Sequence, residues 1–171
     1  HAIFGFDMTA ENGAFTCEGT LGPMDGRVIN RIVTPLLNIE VESANIKGIK
    51  FKIQGHDYRN WGTLNFDYDN LKVNLVSTEE EGDRSKKGIV SFVANQFLVN
   101  TSNPDSKGNY LIGPINYTRI PEHSFFKNLW QSLLDGIKQT AGISPEREQR
   151  LIGSAQSAKK AVEQTKGSVK K

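Results

Sequence analysis

The sequence predicts an α+β fold: a curved, mostly antiparallel β-sheet with one apolar face, a short helix near residues 25–34, and C-terminal helices. Apolar and polar residues alternate along much of residues 1–120, as they do in half-buried strands. Residues 122–142 instead carry apolar side chains at helical spacing. A chain of 171 residues, 37% of them hydrophobic, is also long enough to bury a core.

Two strands are predicted at the start of the chain, on either side of a turn at residues 11–13, where Glu-Asn-Gly favours a turn. Their apolar positions alternate with other residues and are Phe4, Phe6 and Met8 before the turn and Phe15, Cys17 and Leu21 after it.

The short helix is predicted from three apolar residues at helical spacing, Val28, Ile32 and Val33. Asp25 can accept hydrogen bonds at its start, and Pro35 is expected to end it.

Four more strands are predicted, with turns at residues 43–45, 55–60 and 69–70. Their apolar residues are expected to share one covered face and to line a lipid groove: Leu37, Ile39, Val41, Ile49, Phe51, Ile53, Leu64, Phe66, Leu71, Val73 and Leu75. The residues between them are expected to face solvent: Lys50, Lys52, Asn65, Asp67, Lys72 and Asn74. A sheet with one apolar face needs a cover.

The segment from residue 79 to residue 120 is predicted to alternate between loops and ordered elements. Residues 79–88 read as a charged loop and residues 101–109 as a second loop, while residues 89–99 suit either a helix or a strand. Residues 110–120 are predicted to form an edge strand, because Pro114 cannot donate to a neighbouring strand.

An amphipathic helix is predicted over residues 122–142. On a helical wheel its apolar residues fill about half the circle: Phe125, Phe126, Leu129, Trp130, Leu133, Leu134 and Ile137. The other half is expected to face solvent and holds Lys127, Asn128, Gln131, Asp135 and Lys138. If the helix also meets lipid or a partner, one flank of the stripe is expected to stay exposed, either Phe125 or Trp130 with Leu134. Trp130 is favoured, because an indole suits an interface that is apolar on one side and wet on the other.

These elements predict three regions: a β-sheet groove domain over residues 1–121, the amphipathic helix over 122–142, and a basic, weakly amphipathic helical tail over 143–171. The tail is expected to begin its helix at Ser144 and Pro145. Because the opening residues already alternate like a strand, the chain is interpreted as part of a longer protein.

The residue types argue against an enzyme, a metal site or a nucleic-acid site. The three histidines, the single Cys17, and the pair Asp67 and Asp69 form no catalytic or zinc-binding pattern, and no phosphate-binding or dinucleotide motif occurs. Residues 1–120 carry 12 Lys or Arg against 14 Asp or Glu, which is not the charge expected for binding phosphate. We expect no cofactor and no nucleic acid.

Four segments carry a resemblance to a known family. They run from "GTLGPMDGRVINRIVTPLLNIEVESANIKGIKFKIQG" through "WGTLNFDYDNLKVNLV" and "IVSFVANQFLVNTSNP" to "RIPEHSFFKNLWQSLLDGIKQTAG". The most distinctive elements are Asn30 with Pro35, the Tyr68–Val73 strand, Asn103-Pro104 and the amphipathic helix. Over roughly residues 15–142 the chain resembles the C-terminal region of AsmA-like envelope proteins of Bacteroidetes-type bacteria.

The resemblance implies a bridge-like lipid-transfer protein that acts in outer-membrane biogenesis, lies in the periplasm and is held by an inner-membrane anchor upstream of this region. This chain would be a non-catalytic end module that holds or passes the acyl chains of a phospholipid or other lipid along an apolar β-groove. The alternative is an envelope adaptor that docks on a protein partner through the 122–142 helix. Phospholipid-sized adducts in native mass spectrometry would favour the first.

Overall fold

The computed structural model describes residues 1–37, 39–75, 77–78, 89–90 and 99–143. In chain order the elements are β1 Ala2–Phe6, β2 Phe15–Leu21, β3 Met24–Asp25, α1 Asn30–Leu37, β4 Ile39–Gly55, β5 Arg59–Leu75, β6 Ser77–Thr78, β7 Ile89–Val90, β8 Ile112–Thr118 and α2 Phe125–Thr140. A 3₁₀ turn at Gly26–Ile29 leads into α1.

The described residues form an open, mostly antiparallel sheet of six strands, which confirms the prediction of a mostly antiparallel sheet. Five strands follow the order β1-β2-β4-β5-β8, and β3 pairs with β4. β6 and β7 form a separate two-stranded ribbon. β8 lies at an edge, as Pro114 predicts, while β1 forms the opposite edge.

β4 and β5 are each 17 residues long, so the turns predicted at residues 43–45 and 69–70 are wrong. The pairing of the two strands shifts register between Val41 and Gly48, and Asn70 has a positive φ of 53°. An inserted residue inverts which side chains face inward, so in the sequence it looks like a break between two strands. The predicted turn at residues 55–60 does join β4 to β5.

The short helix is present but ends later than predicted. Asp25 caps the 3₁₀ turn by accepting a hydrogen bond from the Arg27 backbone N–H at 2.9 Å. α1 then continues through Pro35 to Leu37, which was predicted to begin a strand. Pro35 removes one helical donor, but the helix ends only two residues beyond it. Asn30 fixes the helix start to β4 through two hydrogen bonds with the Val41 backbone, of 2.7 and 2.9 Å.

The structure places most of the predicted groove residues in or against the core. Val41, Ile53, Leu64, Phe66, Leu71 and Val73 are buried, and Ile49 and Phe51 are half-buried. The side chains of Leu37, Ile39 and Leu75 lie outside the described part of the structure. Of the residues expected to face solvent, Lys50, Lys52 and Lys72 are exposed, and Asn65, Asp67 and Asn74 are half-buried.

Two buried polar residues tie the loop that precedes β8 to the sheet. The Tyr68 hydroxyl lies 3.1 Å from the Asn100 carbonyl oxygen and 3.2 Å from that of Thr140. The Asn103 amide donates to the carbonyls of Phe66 and Leu111, both at 2.8 Å, and accepts from the Leu111 N–H at 2.8 Å. These bonds hold the loop against β5 and the end of α2. The predicted loop at residues 79–88 and the helix predicted from Ser144 lie outside the described residues.

Tyr68 gives the fold a testable dependence on alkaline pH. Burial raises the pKa of Tyr68 from 10.0 to about 12. The unfolded chain therefore releases this proton first, and the stability contributed by Tyr68 is lost as pH rises from about 10 to about 12. We expect Tyr68→Phe to shrink the fall in unfolding free energy over that range by up to about 2 kcal/mol.

The measurement is denaturant unfolding at several pH values, with Tyr58→Phe as the matched control because Tyr58 is exposed. Equal pH dependence in the parent and in Tyr68→Phe would contradict this assignment.

Candidate functional site: an apolar cavity beside helix α2

Helix α2 packs on the sheet through a line of small and polar residues. Asn128, Ser132, Gly136 and Thr140 are spaced four residues apart and are all buried. Residues at this spacing lie along one side of a helix. This side of α2 packs against β8 and β5. The helix therefore does not rest on the centre of its apolar stripe.

Hydrogen bonds compensate the polar groups in this line. The Asn128 side chain accepts from the Ile120 N–H at 3.0 Å and donates to the Ile120 carbonyl at 3.1 Å. The Ser132 hydroxyl accepts from the Asn60 amide at 2.8 Å and donates to the Asn128 carbonyl at 2.9 Å. The prediction that Asn128 faces solvent is wrong, because it is 1% exposed and serves as a backbone partner for the segment before α2.

Two glycines set how closely α2 approaches the sheet. A Cβ atom at Gly113 of β8 would lie 2.1 Å from the Gly136 carbonyl oxygen of α2. A Cβ atom at Gly136 would lie 2.9 Å from the Leu64 Cβ. Both distances are shorter than two such atoms can approach, so any side chain at these positions would push the helix outward.

The orientation of α2 turns its apolar stripe to one side of the contact. At about 100° per residue, the Asn128–Thr140 line is centred roughly 90° from the centre of the stripe. Trp130, Leu133 and Ile137 are consequently half-buried and line an open cavity. Leu134, a fourth residue of the stripe, also lines the cavity. Residues of α1 and of the sheet form the other walls.

The cavity has a volume of about 360 Å³ and is apolar almost throughout. Leu133, Leu134 and Ile137 form its α2 wall, and a second wall is formed by Ile29 of the 3₁₀ turn and Val33 of α1. Its sheet wall consists of Val41, Ala44, Ile46, Ile49, Phe51, Leu64, Phe66, Leu71 and Val73. Among the described residues, the polar part of the lining consists of His1, Thr20 and Lys138. Such a space favours a hydrocarbon over a polar ligand.

Seven of the predicted groove residues line the cavity, and residues that the sequence interpretation missed line it as well. Ala44 and Ile46 were assigned to a turn or left out, because the register shifts in β4 were not foreseen. Val99, Ala141 and Ile143 also line the cavity, and their short apolar segments carry no periodic signal. Ile53 is buried in the core but is not part of the lining.

The predicted exposure of Trp130 is wrong. Trp130 is half-buried over the cavity, and its Nε1 is buried without a hydrogen-bond partner among the described residues. Phe126, in the first turn of α2, is the exposed member of the stripe at 70%. Its ring centre lies 6.3 Å from that of Phe4 on β1. Phe125, its neighbour, packs instead on Phe15, with ring centres 4.9 Å apart.

The rest of α2 divides between core and surface. Leu129 and Leu134 are buried. Lys127 is exposed, as predicted, whereas Gln131, Asp135 and Lys138 are half-buried. The Asp135 carboxylate accepts a hydrogen bond from the Asn116 backbone N–H at 3.0 Å, so it satisfies an edge donor of β8.

Within the ranges described above, no three His, Cys, Asp or Glu side chains lie close enough to hold a metal ion. Cys17 of β2 is fully buried, and burial raises the pKa of its thiol, which disfavours the reactive thiolate. Neither α1 nor α2, in the described part of the chain, is long and apolar enough to cross a membrane.

Comparison of this chain with protein-family models, curated proteins and solved structures finds no match.

The packing of α2 can be tested at Gly113. We expect Gly113→Ala to destabilise the protein by about 1–3 kcal/mol, because the new methyl group must displace the Gly136 backbone. For a chain of this size each kcal/mol corresponds to a decrease in melting temperature of about 2–4 °C.

The matched control is Gly22→Ala, because a Cβ atom there meets nothing within 4 Å. Thermal unfolding of the two variants provides the comparison. Equal melting temperatures would show that α2 does not rely on this close approach.

Proposed function

We propose that this chain is a non-catalytic end module of an AsmA-like periplasmic protein that holds or passes lipid acyl chains in outer-membrane biogenesis. The observation that supports this most strongly is the apolar cavity of about 360 Å³ between α1, α2 and the sheet. Its place beside a half-buried apolar stripe is what an acyl-chain site requires. The resemblance to AsmA-like proteins supplies the cellular setting.

The size of the cavity suits a single acyl chain better than a whole lipid. Pockets for small ligands span roughly 300–1,000 Å³, and this cavity lies near the lower limit. Each buried methylene contributes about 0.8 kcal/mol, so about ten methylenes would contribute about 8 kcal/mol before the cost of ordering the ligand. That is sufficient for measurable binding without a hydrogen bond inside the cavity.

The distribution of polar groups supports one orientation of the ligand. The walls at α1 and along β5 are apolar, whereas His1, Thr20 and Lys138 lie on the lining. A lipid headgroup would lose its hydration against the apolar walls, so we place the acyl chain there and the headgroup toward these polar residues.

The alternative function, an adaptor that docks through the 122–142 helix, has weaker support. Six of the seven apolar residues of the α2 stripe are wholly or partly buried against the chain itself, and Phe126 alone is exposed. One exposed ring offers little area for a partner's groove, since specific interfaces bury roughly 1,200–2,000 Å² in total.

The proposed function can be tested by fluorescence quenching. The chain has two tryptophans, and Trp61→Phe would leave Trp130 on the cavity wall as the sole indole. Trp61 is the suitable one to remove, because its Nε1 bonds the exposed Gln54 side chain at 3.1 Å, away from the cavity. We expect dibromostearate to quench Trp130 saturably, since bromine quenches only on near contact.

A pair of variants localises the binding. In the Trp61→Phe protein, Leu133→Asp should weaken dibromostearate binding at least about tenfold, because it places a charge on the cavity wall. Ile112→Asp is the control, because Ile112 is exposed on β8 and does not line the cavity. Equal quenching curves for the two variants, both with parental melting behaviour, would contradict the proposed site.

A further inference from the structure

We infer that the hairpin end between β4 and β5 binds a chain of neutral pyranose sugars, stacked on an aromatic strip formed by Trp61, His56 and Tyr58. The inference goes beyond the acyl-chain proposal and does not depend on it. It rests on the three rings, on the polar side chains beside them, and on the rigidity of the turn that carries two of them.

Trp61 projects from the face of the sheet opposite α2. Its neighbour Asn60 bonds Ser132 of α2, and successive side chains of a strand point to opposite faces. The Trp61 side chain is 38% exposed there. Its ring centre lies 5.4 Å from that of His56, which lies 5.9 Å from that of Tyr58. The three rings therefore form one contiguous strip, and Tyr58, at its end, is 73% exposed.

Planar hydrogen-bonding side chains border the Trp61 ring. Gln54 and Asn116 pair with Trp61 from the two neighbouring strands, so their side chains share its face. The Gln54 Oε1 accepts from the Trp61 Nε1 at 3.1 Å, and the Asn116 Oδ1 accepts from the Arg59 Nε at 2.8 Å. These bonds position the amides and the guanidinium, and each of these groups has further N–H donors for a ligand.

The turn that carries His56 and Tyr58 is held rigidly. The Tyr58 N–H donates to the His56 Nδ1 at 3.2 Å, so the proton of the neutral imidazole lies on Nε2. Arg119 donates through Nη1 to the His56 carbonyl at 2.8 Å and through its backbone N–H to the Tyr58 carbonyl at 2.9 Å. The Asp57 N–H donates to the Asn12 carbonyl at 2.9 Å. Rings fixed in this way lose little conformational freedom on binding.

A pyranose suits this combination of groups. The C–H bonds on its ring face are attracted to the negative face of an aromatic ring, while its equatorial hydroxyls both donate and accept hydrogen bonds. A purely aliphatic ligand would instead dehydrate Gln54, Arg59 and Asn116 without bonding them. Because the strip has three rings, it offers contacts to consecutive sugar units.

The charges beside the strip favour a neutral ligand. Lys52 pairs with Glu18 at 3.2 Å, and Arg119 lies 3.9 Å from the Asp57 carboxylate. These pairs leave little net charge to attract a phosphate. The Asp57 side chain is 55% exposed next to Tyr58, and it would lose hydration if the turn entered a membrane interface.

Indole ¹⁵N NMR of the unaltered protein tests the inference. The chain has two tryptophans, and Trp61→Phe identifies the Trp61 signal. We expect cellotetraose, whose ring hydroxyls are equatorial, to shift the Trp61 signal saturably. The Trp130 signal should stay in place, because Trp130 lines the cavity on the other face of the sheet. Sorbitol, a polyol without a ring, should shift neither signal.

Saturation-transfer NMR of cellotetraose compares two variants. Trp61→Leu should bind at least about tenfold more weakly than the parent, because it removes the stacking ring but keeps an apolar side chain. Ile112→Ser should bind as the parent does, because Ile112 is exposed on β8 and pairs with Asn65, away from the strip. Methyl β-glucoside, a single unit, should bind the parent at least about tenfold more weakly than the tetraose.

Equal responses to cellotetraose and sorbitol, or no response of the Trp61 signal at about 10 mM cellotetraose, would overturn the inference. Both results come from the unaltered protein, so they decide the question even if Trp61→Leu fails to fold. Equal binding by Trp61→Leu and Ile112→Ser would also overturn it. Equal affinity for methyl β-glucoside would contradict binding of a chain, because the site would then recognise a single sugar headgroup. A Trp61 signal that responds to phosphatidylethanolamine liposomes and not to the tetraose would make the strip a membrane contact instead.

Discussion

The contact between Gly136 of α2 and Gly113 of β8 is the constraint on which the arrangement of the helix depends. The two backbones approach so closely that a methyl group on Gly113 would lie 2.1 Å from the Gly136 carbonyl oxygen. Asn128 and Ser132 lie on the same side of the helix and complete its attachment with buried hydrogen bonds. Trp130, Leu133 and Ile137 of the apolar stripe are then left to one side, over the cavity.

This attachment stabilises one orientation of α2 more specifically than an apolar contact would. An apolar stripe can rotate by a few tens of degrees and still bury similar area, whereas a rotation of α2 would leave Asn128 and Asn60 buried without their partners. A buried polar group without a partner costs about 1–3 kcal/mol. The cavity therefore results from where the polar and glycine residues lie on α2 and on the strands beneath it. Apolar side chains nevertheless form its walls.

The sheet could be predicted from the sequence because its signal is local. Alternation identified the strands, the turn residues marked the turn after Gly55, and Pro114 indicated the edge strand. The register shifts within β4 and β5 could not be predicted, because a bulge and a turn both invert the alternation and only pairing with the neighbouring strand distinguishes them. For the same reason the sequence did not assign Ala44 and Ile46 to the apolar side of β4.

The prediction of α2 had the same limit, because the orientation of the helix depends on the strand that it packs against. Its position was predicted closely, over residues 122–142 against the observed Phe125–Thr140. A helical wheel assumes that the most apolar side packs, so it placed Asn128 in solvent. Gly113, which lies on strand β8, determines the orientation of α2. No property of the helix sequence reveals this contact.

The central claim is that the space between the α2 stripe and the sheet receives an acyl chain. Isotope-filtered NMR of the protein with ¹³C-labelled palmitate tests it most directly. Nuclear Overhauser contacts should join the palmitate methylenes to the methyl groups of Leu133, Ile137 and Ile49, which line the cavity from opposite sides. Contacts confined to Phe126 and Phe6 at the surface, or none at a palmitate concentration well above that of the protein, would contradict it.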